Sequence, residues 1–122
     1  MATVEVSFTP LPAHVRTARL VATAVARRSG VDEALLEEVR LAVGEACSRA
    51  VEAHRRDCPG EPVRIALTDM AGRFEVEVTD TGRPAAGFGL AVIAELADDV
   101  QVSETSAGTS IRMSWPSAGL RA

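Results

Sequence analysis

The chain contains neither lysine nor tyrosine. Without lysine there is no phosphate-binding loop of the Gly-x-x-x-x-Gly-Lys kind, because that loop needs an ammonium at its end. All 13 basic residues are arginine, which reads as the codon bias of a GC-rich genome more than as chemistry. Aromatic residues make up only 3%, so the core has to be built from Val, Leu, Ile and Ala. Cys47 and Cys58 are the only cysteines. Two isolated thiols give no metal-ligand spacing and no disulfide framework. Cys47 reads as a small core residue on a helix and Cys58 as a loop thiol. No apolar run reaches the roughly 18 residues of a membrane-spanning helix. The N-terminus lacks the basic-then-apolar pattern of a signal peptide. The expected location is the cytoplasm, away from membranes. A net charge of -4 argues against a non-specific nucleic-acid binder. What is present is 122 residues with 47% apolar content, enough for one domain with one core.

Periodicity orders the elements. Thr3 to Phe8 alternates as a half-buried strand with Val4, Val6 and Phe8 on one side. From Ala13 to Arg28 the apolar residues Val15, Leu20, Val21, Ala24 and Val25 fall at helical spacing, and Ser29-Gly30 stops that helix. Asp32 is placed to cap a second helix reaching about His54. Val63–Thr68 and Phe74–Thr79 alternate around an Ala71-Gly72 turn, a hairpin. A short helix follows over Gly89–Ala97, and a second hairpin turns near Ala107-Gly108. The order β-α-α-β-β-α-β-β implies an α/β (α+β) two-layer sandwich, a mixed or antiparallel sheet covered on one face by three helices. Residues 1–116 form the single domain and 117–122 a frayed tail.

Several residues carry chemistry. Alternation puts Asp80 on the core side with Phe74, Val76 and Val78. A carboxylate there needs partners. It either accepts hydrogen bonds from the turn at Gly82 or receives a ligand donor such as an exocyclic amine. Gly87-Phe88-Gly89 opens a helix, where backbone can approach a phosphate and the helix end favours an anion. Val92 stands where a dinucleotide fingerprint would need a third glycine. Glu45 and Arg49 are spaced i,i+4 on the second helix, either as a surface ion pair or with Glu45 as a general base. His14 and His54 have no partners at metal-ligand spacing. His54, near a helix C-terminus, reads as a charge partner of the helix dipole.

These segments, taken in order, resemble a known family. Residues 38–51, from Glu38 through Glu45 and Arg49 to Val51, look like the N box of the small bacterial anti-sigma factor serine kinases. Those kinases belong to the superfamily of gyrase-, Hsp90- and histidine-kinase-type ATPases. Residues 75–82, ending Asp80-Thr81-Gly82, look like the G1 box of that family, and residues 87–100 like its G2 box with the helix after it. Gly108-Thr109 matches its closing Gly-Thr. The resemblance implies the histidine-kinase-like ATPase (Bergerat) fold. It implies binding of a sigma factor and of an anti-sigma antagonist, phosphorylation of that antagonist with ATP and magnesium, and a homodimer. On that likeness Asp80 would contact adenine, Gly82 would shape its turn, and Gly87 and Gly89 would approach the phosphates. Glu45 would be the catalytic base, and Arg19 would contact a partner.

Two departures bear on catalysis. The family's magnesium-binding asparagine falls at Arg49, and an arginine offers only donors. The connection between Gly82 and Gly87 is only Arg83-Pro84-Ala85-Ala86, shorter than the family's lid. The expectation is therefore a partner-switching regulator with lost or weak kinase activity. In it Arg49 meets phosphate directly and magnesium is doubtful. The competing expectation is an active ATP-dependent serine kinase, and the sequence leaves open whether the chain is an enzyme.

Overall fold

The computed structural model describes residues 2–83 and 89–119. Its elements are β1 (Ala2–Phe8), α1 (Pro12–Arg28), α2 (Glu33–Asp57), β2 (Val63–Met70), β3 (Arg73–Asp80), α3 (Gly89–Leu96), β4 (Asp99–Thr105) and β5 (Gly108–Pro116). The expected order is the observed one. The strands form a five-stranded sheet in the order β1-β2-β3-β5-β4. Every neighbouring pair is antiparallel, so the mixed alternative falls away. One row of partners runs Val6, Ile65, Val78, Ile111 and Val102 across the sheet. The period of two puts the buried residues of β3, Phe74, Val76, Val78 and Asp80, on the helix side. The other face is polar, with Arg112 donating to Glu77 and Ser110 sharing the same carboxylate.

α2 is the central helix and the one that builds the site. Asp32 caps it as expected, accepting from the Ala34 amide at 2.9 Å. Its buried stripe of Leu36, Val39, Val43, Ala46, Cys47 and Ala50 packs on the sheet and on α1. Burial pushes the Cys47 thiol up to about 12, in keeping with a packing role. α1 is rotated from the expected stripe. Its inward residues are Val15, Ala18, Ala22 and Ala26, while Leu20 is 59% exposed. Close approach explains the alanines: a Cβ at Gly44 on α2 would lie 2.7 Å from the Arg19 Cδ of α1. With so little room between the helices, small residues outcompete leucine for the inner face.

At the far end, the Trp115 indole donates to the Leu96 carbonyl at 3.1 Å and stacks on Phe74. That contact pins α3 to the sheet. Ser117–Gly119, expected as part of a frayed tail, are held instead. Their amides donate to the carbonyls of Gly72, Gly30 and Ser29. The tail thus ties the β2–β3 turn to the C-terminus of α1.

Candidate functional site

The site grows from the end of β3. Asp80 is buried at 8% exposure, and its Oδ1 accepts the Gly82 amide at 3.1 Å. Of the two roles left open for this carboxylate, turn acceptor is thus present. Burial raises its pKa, opposed by the Gly82 amide and by the positive charges of Arg49 and Arg56. Arg49, half-buried on α2, is therefore brought electrostatically to Asp80. Glu45 sits one turn earlier on the same helix, also half-buried. Gly82 rests against α2. A Cβ there would meet the Ala53 Cβ at 2.7 Å and its carbonyl oxygen at 2.9 Å. Glycine is required at 82 because a helix backbone occupies the space a side chain would take.

The turn is bound to the C-terminus of α2 by contacts that the sequence did not announce. Asp57 accepts from the Arg56 guanidinium and from both the amide and the guanidinium of Arg83. Arg56 also donates to the Arg83 carbonyl at 2.7 Å. The Thr81 hydroxyl donates to Glu61 at 2.6 Å. His54 is fully buried and links to both Glu61 and Thr81. That corrects the reading of His54 as a charged partner of the helix dipole. Its Nε2 accepts the Thr81 amide, so it holds a lone pair there rather than a second proton.

These bonds have a pH consequence. Hydrogen bonds from Arg56, then from Arg83, hold the Asp57 carboxyl well below its ordinary value of 3.8. A depressed carboxylate stabilises the fold above its unfolded pKa, and that contribution is lost as pH falls further. Acid titration followed by Trp115 fluorescence should therefore show loosening beginning below about pH 4. Asp57→Asn should flatten the pH dependence of Tm in that window.

Asp80 predicts the opposite sign. Its folded pKa is raised, so the ionised carboxylate costs stability at neutral pH, and the cost fades as pH falls through that pKa. Asp80→Asn keeps an acceptor for the Gly82 amide and removes the charge. Its Tm should exceed that of the parent at pH 7, and the gap should close toward pH 4. A lower Tm for the variant at pH 7 would contradict the assigned burial cost.

Of the other expected site residues, Gly89 opens α3, and Gly87 lies outside the described residues. Arg19 stands apart from Asp80. It lines a groove between α1 and α2 with Ser48, Glu52 and Arg55. Among the described residues no group of three or more His, Cys, Asp or Glu gathers as a metal site.

Residues 8–115 match the family described as Histidine kinase-like ATPase domain. The chain is similar to the serine-protein kinase RsbW of Bacillus subtilis, 36% identical over 80 residues. That stretch is 65% of this chain and 49% of the relative, so the match spans about half of that protein's length. It is also similar to the serine-protein kinase RsbW of Oceanobacillus iheyensis, 26% identical over 134 residues, covering 91% of this chain and 84% of the relative. Among solved structures, that of the RsbU and RsbW domains of a Mycobacterium tuberculosis protein superposes with a TM-score of 0.78 at 20% identity. It covers 99% of this chain and 34% of that one, a likeness of fold. With the sheet order, the Asp-x-Gly turn and a family match over nearly its whole length, the chain belongs to the histidine kinase-like ATPase domain family.

Proposed function

We propose that this domain is a partner-switching regulator of the anti-sigma-factor kind. It grips a sigma factor, an anti-sigma antagonist or both, in the cytoplasm, with lost or weak kinase activity. Arg49 carries this reading. A guanidinium whose charge reaches Asp80 stands where the family's magnesium-binding asparagine falls. Arginine has donors only and repels a divalent ion, so the residues present do not fit magnesium. Phosphoryl transfer rests on positioning and charge neutralisation. Here the metal ligand is replaced, and the Gly82–Gly87 connection is short for a lid. Co-purification from the native host with mass spectrometry tests the reading. Recovery of a sigma factor or an antagonist is expected, and recovery of neither contradicts it.

Nucleotide binding is the part of the enzyme reading that the retained residues favour. The Asp80 carboxyl would accept an exocyclic amine, Gly82 would hold the turn, and Gly87 and Gly89 would approach phosphates. Arg49 would supply positive charge in place of a metal. Because Glu45 is also retained, an active serine kinase acting on an antagonist is the second reading. Calorimetry with ATP separates the two. Heat that does not change with magnesium fits the first, and heat that requires magnesium fits the second.

Arg19 would be the partner contact. Among the described residues no ion pair engages Arg19 or Arg55, which share one groove. Two such guanidinia suit an acidic side chain on a partner. Arg19→Glu should weaken capture of that partner about 10- to 100-fold. Arg16→Glu, at an exposed position on the same helix, should change it little. β1 is an edge strand that a second copy would extend, giving the homodimer.

A further inference from the structure

His54 joins three separate parts of the chain. It sits in the last turn of α2, with Nδ1 2.8 Å from the Glu61 carbonyl in the loop before β2. Its Nε2 is 2.9 Å from the Thr81 amide just after β3. The partners fix the ring's chemistry. A backbone carbonyl only accepts and a backbone amide only donates. Nδ1 must therefore carry the proton and Nε2 the lone pair, which describes one neutral tautomer.

The amide it holds belongs to the planar peptide joining Asp80 to Thr81. The carbonyl of that same peptide faces Gly108 of β5, so closely that no side chain fits between them. The peptide is thus bonded by His54 at its N–H and closely backed by Gly108 at its oxygen. Rotating it about the Asp80 Cα–C bond would carry the Gly82 amide off the Asp80 carboxylate. Exposed contacts around it add to the hold: the Thr81 hydroxyl on Glu61 and the Arg83 guanidinium on Asp57. Of these partners only His54 is completely buried, so its bond to the Thr81 amide is the most shielded of the set.

We propose that His54 is the positioning residue for the Asp80–Gly82 turn: the neutral imidazole, in its Nδ1–H tautomer, sets the plane of the Asp80–Thr81 peptide and so holds the Gly82 amide against the Asp80 carboxylate. The ligand half of this inference rests on the nucleotide reading above, whereas the tautomer and the hold on the turn do not.

The test uses the whole chain at neutral pH. Nitrogen NMR of the wild-type ring should show one protonated nitrogen, Nδ1, and a bare Nε2. Hydrogen exchange at the Thr81 amide should be slow, and His54→Leu should speed it about tenfold or more. His54→Gln restores an acceptor and should recover most of the protection. Binding of magnesium-free ATP should follow the same order, weakened about tenfold in His54→Leu and within about threefold of the parent in His54→Gln. An Nε2–H or doubly protonated ring would overturn the proposal, as would Thr81 protection unchanged in His54→Leu. If His54→Leu fails to fold, the wild-type ring spectrum and the His54→Gln exchange decide. If wild-type protein binds no ATP, the nucleotide reading fails, and the ring and exchange measurements still judge His54.

Discussion

Gly108→Ala should be among the most damaging single substitutions in this domain, costing about 2–5 kcal/mol. Two costs add. Gly108 has φ of 138°, a backbone conformation that side chains resist. A Cβ there would also drive into the Asp80 carbonyl oxygen and lie 2.8 Å from the Thr81 Cα. Both atoms belong to backbone and cannot swing aside as a flexible side chain could. Domains of this size are stable by only about 5–15 kcal/mol, so the loss is a large fraction. A fall in Tm of about 10 °C or more is expected. Gly72 supplies the control. It too has positive φ, at 77°, but nothing lies within 4 Å of a Cβ placed there. Gly72→Ala should cost only about 1 kcal/mol, the strain alone. Equal losses at the two positions, read by denaturant melts, would remove the collision with Asp80 from the account. Gly108→Ala should also disturb the Asp80–Gly82 turn, because the displaced atom is part of Asp80.

Arg49→Asn should raise affinity for magnesium–ATP by about 10- to 100-fold. The gain would come from removing the repulsion between a fixed guanidinium and a divalent ion that would bind beside it. Asparagine also offers a carbonyl oxygen that a hard cation accepts as ligand. Magnesium-free ATP should respond in the opposite direction, since the variant loses a charge that attracts phosphate. This crossing of the two affinities is the signature of a metal seat taken by arginine. If magnesium–ATP affinity stays unchanged, the short connection after Gly82 is the obstacle, and the weight placed on Arg49 is misplaced.

The layers of the fold were legible in the sequence because each strand alternates cleanly and each helix break is marked by Gly, Pro or a capping Asp. Asp80 was legible for the same reason: alternation carries the inward face of β3 two residues past Val78. The facing of α1 was not. Leu20 and Ala24 have helical spacing as good as Ala22 and Ala26, and only the close approach of α2 at Gly44 decides between them. Nor was the binding of the Asp80–Arg83 turn to α2 legible. Asp57 and Arg83 are far apart in sequence, and nothing local marks either as a partner of the other. His54 was misread because its place near a helix end suggests a charge, whereas its tertiary partners demand a lone pair. Ser117–Gly119 looked loose because their bonds go to carbonyls elsewhere in the chain.

On the proposed reading, this ATPase-family scaffold serves partner binding, and Arg49 denies it the cation that phosphoryl transfer requires. The most direct trial is incubation of the purified protein with γ-labelled ATP, magnesium and a cognate serine-bearing antagonist, following label on the antagonist over time. Little or no transfer above a protein-free control is expected. Robust label that accumulates over many turnovers, and only when magnesium is present, would contradict the proposed function.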